Sequence, residues 1–268
     1  MPVESTANIL PSVRIPKFQG KTSKSAGLDT AADSNRTYCY NSRGFRDAEW
    51  PDDLTNAIWC VGDSFTNGIG SAFEHTWPQV LGQRVQRRVI TIALDGASND
   101  WIARKCCEIY NEIQPQNIVI MWSYLHRRES NKSGSDSERR LWHIKSTVEQ
   151  DFENFAACRA QVRDHCRNSN LIEMIIPNWQ PAVTPHAWDK IRGTSWPERF
   201  PESLDQIPES IQEELIDVHG VDPQALELQF QKLDIITVPQ LDFAADNHHF
   251  DIVTADWVAA HVAQYLKA

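Results

Sequence analysis

Apolar and polar positions along this chain fall into blocks of two kinds. Short runs rich in β-branched or bulky residues, over 56–61, 89–94, 118–122, 171–176 and 234–238, predict five buried strands. Between them, apolar residues recur at helical spacing. Trp77, Val80, Leu81 and Val85 form one stripe, Ile102, Cys106, Ile109 and Ile113 a second, and Trp257, Val258, Val262 and Leu266 a third. A further helix is expected over about 138–167. Thr76 ahead of Pro78 reads as a capping hydroxyl followed by a first-turn proline, and Ser98 or Asn99 is placed to cap the next helix. Pro177 and Pro239 end the fourth and fifth strands.

Strands that alternate with helices predict a parallel sheet covered on both faces. The expected fold class is α/β: a three-layer α/β/α sandwich around a mostly parallel five-stranded sheet. Residues 1–37 lack periodicity and are rich in Ser, Thr, Lys, Ala and Pro, so they read as an arm, either disordered or draped over the domain. The domain proper is expected over 38–268, with an insertion at about 178–233. That insertion carries Trp179, Trp188 and Trp196 among prolines, then an acidic stretch with Glu209, Glu213, Glu214 and Asp217. Segments this long serve function or are disordered. The expectation is a cover over one edge of the sheet; the alternative is a decoration elsewhere.

Composition narrows the function classes. A chain of 268 residues with 41% hydrophobic content can bury one core of this kind. A formal net charge of −10 argues against a nucleic-acid binder that works through a general positive field. Arg84, Arg87 and Arg88, the Arg127-Arg128 pair and the Arg139-Arg140 pair read as solvated faces. Residues 1–20 hold no apolar core for a signal peptide, and no apolar run could cross a bilayer. Of the six cysteines, Cys158 and Cys166 share one expected helix about 12 Å apart, too far for a disulfide. Free thiols without a leader point to the cytoplasm. No nucleic-acid or membrane partner is expected, and the oligomeric state stays open.

The chemistry gathers at two places. The first strand runs into Gly62-Asp63-Ser64, which delivers a hydroxyl to the C-terminal edge of the sheet, where open α/β sheets bind ligands. Near the other end stands Asp246-Asn247-His248-His249-Phe250-Asp251. A carboxylate three residues before a histidine can orient the imidazole, and an imidazole so held can take a proton from a serine. Asp246, His248, His249 and Asp251 are also possible metal ligands, but no second cluster matches them. Neither a metal nor another cofactor is expected.

These two motifs, in this order and at opposite ends of a βα pattern, resemble the SGNH (GDSL-like) hydrolase family. Gly62-Asp63-Ser64 matches its nucleophile motif and Asp246-x-x-His249 its acid-base motif, while Asn41-Ser42-Arg43-Gly44-Phe45-Arg46 is similar to a lead-in that some members carry. The resemblance spans roughly 38–268 and implies a flavodoxin-like SGNH fold. It implies Ser64 as nucleophile, His249 rather than His248 as base and then acid, and Asp246 as the orienting group. It further implies an oxyanion site built from the Ser64 and Gly96 N–H groups. The family's third oxyanion donor is an asparagine in a Gly-x-Asn-Asp motif after the third strand, and this chain has Trp122-Ser123-Tyr124-Leu125-His126 there. Ser123 is the first candidate to replace it, with Tyr124 and His126 as alternatives. His126 and Arg127 are alternatively placed to recognise an anionic substrate group. Asn99 and Asp100 follow the second strand and read as helix-capping residues. The implied activity is hydrolysis of a small acyl ester, such as an O-acetylated carbohydrate, through an acyl-serine. Acyl transfer to another alcohol, or a binding protein that has lost turnover, are the alternatives.

Overall fold

Five parallel strands carry the architecture. The computed structural model describes residues 13–22, 38–54, 56–125, 127–129, 140–142, 148–176, 230, 232–246 and 249–266. Strands β1 (Ile58–Gly62), β2 (Val89–Ala93) and β3 (Asn117–Trp122) are buried along their whole length. Two short strands, β4 (Arg127–Glu129) and β5 (Arg140–Trp142), pair antiparallel outside the main sheet. β6 (Asn170–Ile175) and β7 (Ile236–Thr237) complete a sheet of order β2-β1-β3-β6-β7, parallel throughout. The helices are α1 (Ser64–Asn67), α2 (Trp77–Val85), α3 (Asn99–Ile113), α4 (Val148–His165) and α5 (Ile252–Ala263). α2 packs on α5, and α3 on α4, giving one helical layer on each face. Strands covered on both sides have no wet face, which is why they read as continuous apolar runs. None of the described helices is long and apolar enough to cross a membrane.

The order of strands fixes where a site belongs. The chain leaves β1, reaches β2 on one side, then crosses back to β3 on the other. The direction of winding reverses between β1 and β3, and a crevice opens at their C-terminal ends. Gly62, Asp63 and Ser64 sit there. Glycine is required at 62 because α1 folds back hard on the strand: a Cβ would lie 2.1 Å from Thr66 Oγ1 and 3.0 Å from the Met121 carbonyl oxygen.

Several local expectations need correction. The helix expected from 138 begins only at Val148, because 140–142 is extended and pairs with 127–129. Thr76 does not cap α2 with its side chain; its hydroxyl donates to the Phe73 carbonyl at 2.9 Å and closes the preceding 3-10 turn. Ser98 does cap α3, accepting from the Trp101 N–H at 3.1 Å. Trp59, Trp77, Trp101 and Trp122 are fully buried core residues; truncating such a ring costs about 3–5 kcal/mol. All six cysteines are free thiols.

The N-terminal arm is part of the packing over 13–22. Val13, Ile15 and Phe18 are buried, Ile15 N–H donates to the Arg43 carbonyl at 2.8 Å, and Phe18 stacks on Tyr40 at 5.1 Å. The packed core therefore extends upstream of residue 38. Further on, Asp47 ties the 41–50 segment to the outer strand. Its carboxylate pairs with Arg88 at 2.9 Å and accepts the Thr91 N–H of β2 at 3.2 Å. Nearly all of the 178–233 insertion, together with His126, Asn247 and His248, lies outside the described residues.

Candidate active site

The end of β1 is held by one carboxylate. Asp63 is completely buried, and its Oδ1 accepts the Phe65 N–H at 3.0 Å, capping α1. Its Oδ2 accepts the Ser123 hydroxyl at 2.6 Å and Arg127 Nη1 at 2.9 Å. Burial pushes the Asp63 carboxyl up, and Arg127, Ser123, the Phe65 amide and His249 pull it part of the way back. Ser64, the next residue, opens α1 and is itself 2% exposed.

The turn that follows α1 is held from outside. Arg46 is buried and donates to the carbonyls of Asn67 at 2.9 Å, of Gly68, and of Ser71 at 2.7 Å. Its guanidinium lies over the Tyr38 ring, 4.1 Å from the centroid, and the Tyr38 hydroxyl accepts the Gly70 N–H at 2.9 Å. Tyr40 packs nearby with a side-chain hydrogen bond to Asn67, and burial pushes its hydroxyl up to about 12. This gives the lead-in at 41–46 a physical role: its last residue satisfies the carbonyls left open where a one-turn helix ends.

The second motif forms a closed loop of its own. His249 Nδ1 donates to Asp246 Oδ2 at 2.5 Å, and the His249 backbone N–H donates to Asp246 Oδ1 at 3.0 Å. A carboxylate only accepts, so Nδ1 carries the proton and Nε2 is left as the basic nitrogen. Ala244 N–H donates to the His249 carbonyl at 2.7 Å and closes the loop. Below it, Asp242 accepts from the N–H groups of Asp251, Val253 and Thr254 and from the Thr254 hydroxyl at 2.6 Å. Those amides start α5, so Asp242 caps that helix from outside it.

The two motifs meet across several contacts. The His249 ring lies 4.6 Å from that of Phe65, the residue after Ser64, and Phe250 lies 5.4 Å from the same ring. Ala245 N–H donates to the Gly70 carbonyl at 3.3 Å, and the Ser71 hydroxyl donates to the Phe250 carbonyl at 3.3 Å. Gly70 has φ +81°, and a Cβ there would lie 2.7 Å from Ala244 Cβ and 3.0 Å from Asp246 Oδ1. Sites 179 residues apart thus share one wall.

Other expected site residues land differently. Gly96 lies in the turn after β2, at φ +66°, with Ala97 N–H donating to Leu94 C=O at 2.9 Å. Leu94 N–H donates to the Gly62 carbonyl at 3.3 Å, which seats that turn beside the end of β1. Ser123 is not presented as an oxyanion donor: its one proton goes to Asp63, and its oxygen accepts from Arg127 at 3.0 Å. Arg127 is not a surface receptor for an anionic substrate, since it is buried, paired with Asp63 and stacked over Tyr124 at 4.5 Å. Tyr124 is buried too, which pushes its hydroxyl well up.

Asn99 does more than start a helix. Its side chain accepts the Ser123 N–H at 2.9 Å and donates to the Tyr124 carbonyl at 3.1 Å, bracing the segment after β3. Asp63, Asn99, Arg46 and Asp242 were missed by sequence reasoning as positioning groups. The signal available for Asp63 was its place immediately before the serine. A cavity of about 560 Å³ lined by Tyr38, Arg46, Ser71, Phe73 and His75 lies beside the 67–71 turn; Ser64 and His249 do not line it. Among the described residues no group of three or more His, Cys, Asp or Glu side chains is arranged to hold a metal ion.

No family model matches the chain, and no curated protein matches it. Solved structures do match. A member of the lipolytic protein G-D-S-L family from Veillonella parvula DSM 2008 is 11% identical over 78% of this chain and 99% of that one, with a TM-score of 0.44. A lipase/acylhydrolase from Enterococcus faecalis is 14% identical over 80% of this chain and 100% of that one, with a TM-score of 0.39. A family two carbohydrate esterase from Clostridium thermocellum, in complex with cellohexaose, is 12% identical over 81% of this chain and 65% of that one, with a TM-score of 0.41. In structure this chain is similar to lipolytic proteins of the G-D-S-L family and to carbohydrate esterases.

Proposed function

We propose that the protein is an SGNH-type serine hydrolase that cleaves small acyl esters, O-acetylated carbohydrates among them. Ser64 Oγ attacks the ester carbonyl and His249 Nε2 takes its proton. The tetrahedral intermediate collapses with loss of the alcohol, which receives that proton from Nε2. Water then attacks the acyl-serine, again losing its proton to Nε2, and the acid leaves as Ser64 is reprotonated. Asp246 holds the imidazole and stabilises the imidazolium. The Ser64 and Gly96 N–H groups serve the oxyanion.

The observation that carries this reading is the double hydrogen bond from His249 to Asp246, held against the residue that follows Ser64. With Ser123 committed to Asp63, the two backbone donors are what the described residues offer the oxyanion. One missing donor typically costs about 10²–10³ in kcat, so slow turnover on simple aryl esters is expected.

A fluorophosphonate probe with peptide mapping tests the assignment. The label is expected on Ser64. Hydrolysis of an aryl acetate is expected to vanish in Ser64→Ala and His249→Ala and to survive EDTA. A label on another residue, or full turnover in Ser64→Ala, would overturn it.

A further inference from the structure

We infer that Arg127 and Ser123 are positioning residues for Ser64 and act on it through the Asp63 carboxylate; this rests on the hydrolase reading above. The segment after β3, where the resembled family keeps an asparagine, here grips the nucleophile turn instead of facing the substrate. Three groups close on one another: Arg127 Nη1 donates to Asp63 Oδ2 at 2.9 Å and to Ser123 Oγ at 3.0 Å, and Ser123 Oγ donates to Asp63 Oδ2 at 2.6 Å. The other carboxylate oxygen caps α1 through the Phe65 N–H.

The peptide between Asp63 and Ser64 supplies the proposed oxyanion N–H. A four-residue helix is one turn long and does not hold itself. Its start is set by the cap, so the direction of the Ser64 N–H and the rotamer space of its hydroxyl follow the Asp63 side chain. Arg127 adds a second route to the same turn, because its guanidinium lies over Tyr124, whose ring meets Phe65 edge-on at 6.3 Å. A buried carboxylate left without its cation would be costly. Asn99 fixes the backbone that carries Ser123.

The test is steady-state hydrolysis of an aryl acetate by the full chain, with rates expressed per fluorophosphonate-titrated site. Wild-type labelling at Ser64 is scored first. Its failure removes the hydrolase reading itself, whereas normal labelling with unaffected variants removes only the positioning role. Misplacement of reacting groups by about 1 Å can cost about 10²-fold, so Arg127→Met is expected to lose about that much in kcat, with KM within about threefold of wild type. Arg127→Lys, which keeps the cation, is expected to recover at least about tenfold of that loss. Ser123→Ala is expected to lose about tenfold, and the double variant to be no worse than Arg127→Met, since groups that act as a unit are non-additive. A wild-type kcat per site in Arg127→Met, or a loss that falls wholly on KM, overturns the inference. Should Arg127→Met fail to fold, Ser123→Ala decides: it strands no buried charge, and an unchanged kcat overturns the inference.

Discussion

His249 donates two hydrogen bonds to a single partner: its backbone N–H to Asp246 Oδ1 at 3.0 Å and its ring Nδ1–H to Oδ2 at 2.5 Å. One carboxylate therefore fixes both where the imidazole starts and how it is rotated. An amide in that place can accept one of these bonds but not both. Asp246→Asn is expected to fold normally and to lose about 10³–10⁴ in kcat, measured on an aryl acetate against the wild-type protein. Retention of more than a tenth of the activity would mean that Asp246 orients nothing that matters to the reaction.

Gly70 marks a close approach between the two motifs. An alanine there meets both a φ of +81° and the side chains of Ala244 and Asp246. Gly70→Ala is expected to cost more than about 1 kcal/mol of stability and to lower kcat as well, because the strain is relieved by moving Asp246. A thermal melt and a kcat measurement on the same sample check both halves. Lower stability with wild-type kcat would show that the loop yields elsewhere.

Asp242 caps α5 without belonging to it. Three backbone amides and one hydroxyl converge on its carboxylate. Asp242→Ala is expected to destabilise the fold by about 1–2 kcal/mol, read from urea midpoints. Asp242→Asn, which keeps one acceptor oxygen, is expected to recover part of it. Equal midpoints for wild type and Asp242→Ala would refute the capping role.

Asp47 predicts a pH dependence of unusual sign for a carboxylate. Burial holds it up to about 6, with Arg88 and the Thr91 and Ala48 amides pulling back only partly. In an unfolded chain an aspartate titrates near about 3.9. Between about pH 4 and 6 the folded state keeps a proton that the unfolded state has released. Stability from this group is therefore full at low pH and falls as pH rises through that window, by at most about 3 kcal/mol. The difference in urea stability between wild type and Asp47→Asn isolates the effect. A difference that grows in favour of wild type from pH 4 to 6 contradicts it.

The residues that carried the chemistry in the sequence were those whose partners are near in sequence. Asp246 and His249 are three apart, and the strand before Gly62 announces its own end. The strands were legible because burial on both faces leaves runs such as Val89–Ala93 with no polar alternation. Asp63 was legible as part of a motif but not as the hub of a network, because Ser123 and Arg127 lie 60 and 64 positions away. Arg46 meets its carbonyls 21 to 25 positions on, and nothing local marks an arginine that will be buried. Thr76 was misread for the opposite reason. It has the right chemistry for a cap, but its hydroxyl donates to the Phe73 carbonyl of the turn ahead and accepts no amide of α2. Ser123 was misread likewise: a hydroxyl at a strand end looks available until its acceptor is known.

The contact between Asp47 and Thr91 also bears on how the molecule behaves in a crowd. Among the described residues β2 is the outermost strand on its side, and an outer strand invites pairing by any extended chain that reaches it. Here the Thr91 N–H is already taken, and the acceptor is a side-chain carboxylate clamped by Arg88, not another strand. An approaching chain would have to displace that carboxylate to gain this backbone bond. One backbone donor of that edge is thus occupied for an electrostatic reason, which lowers what an added strand would gain there.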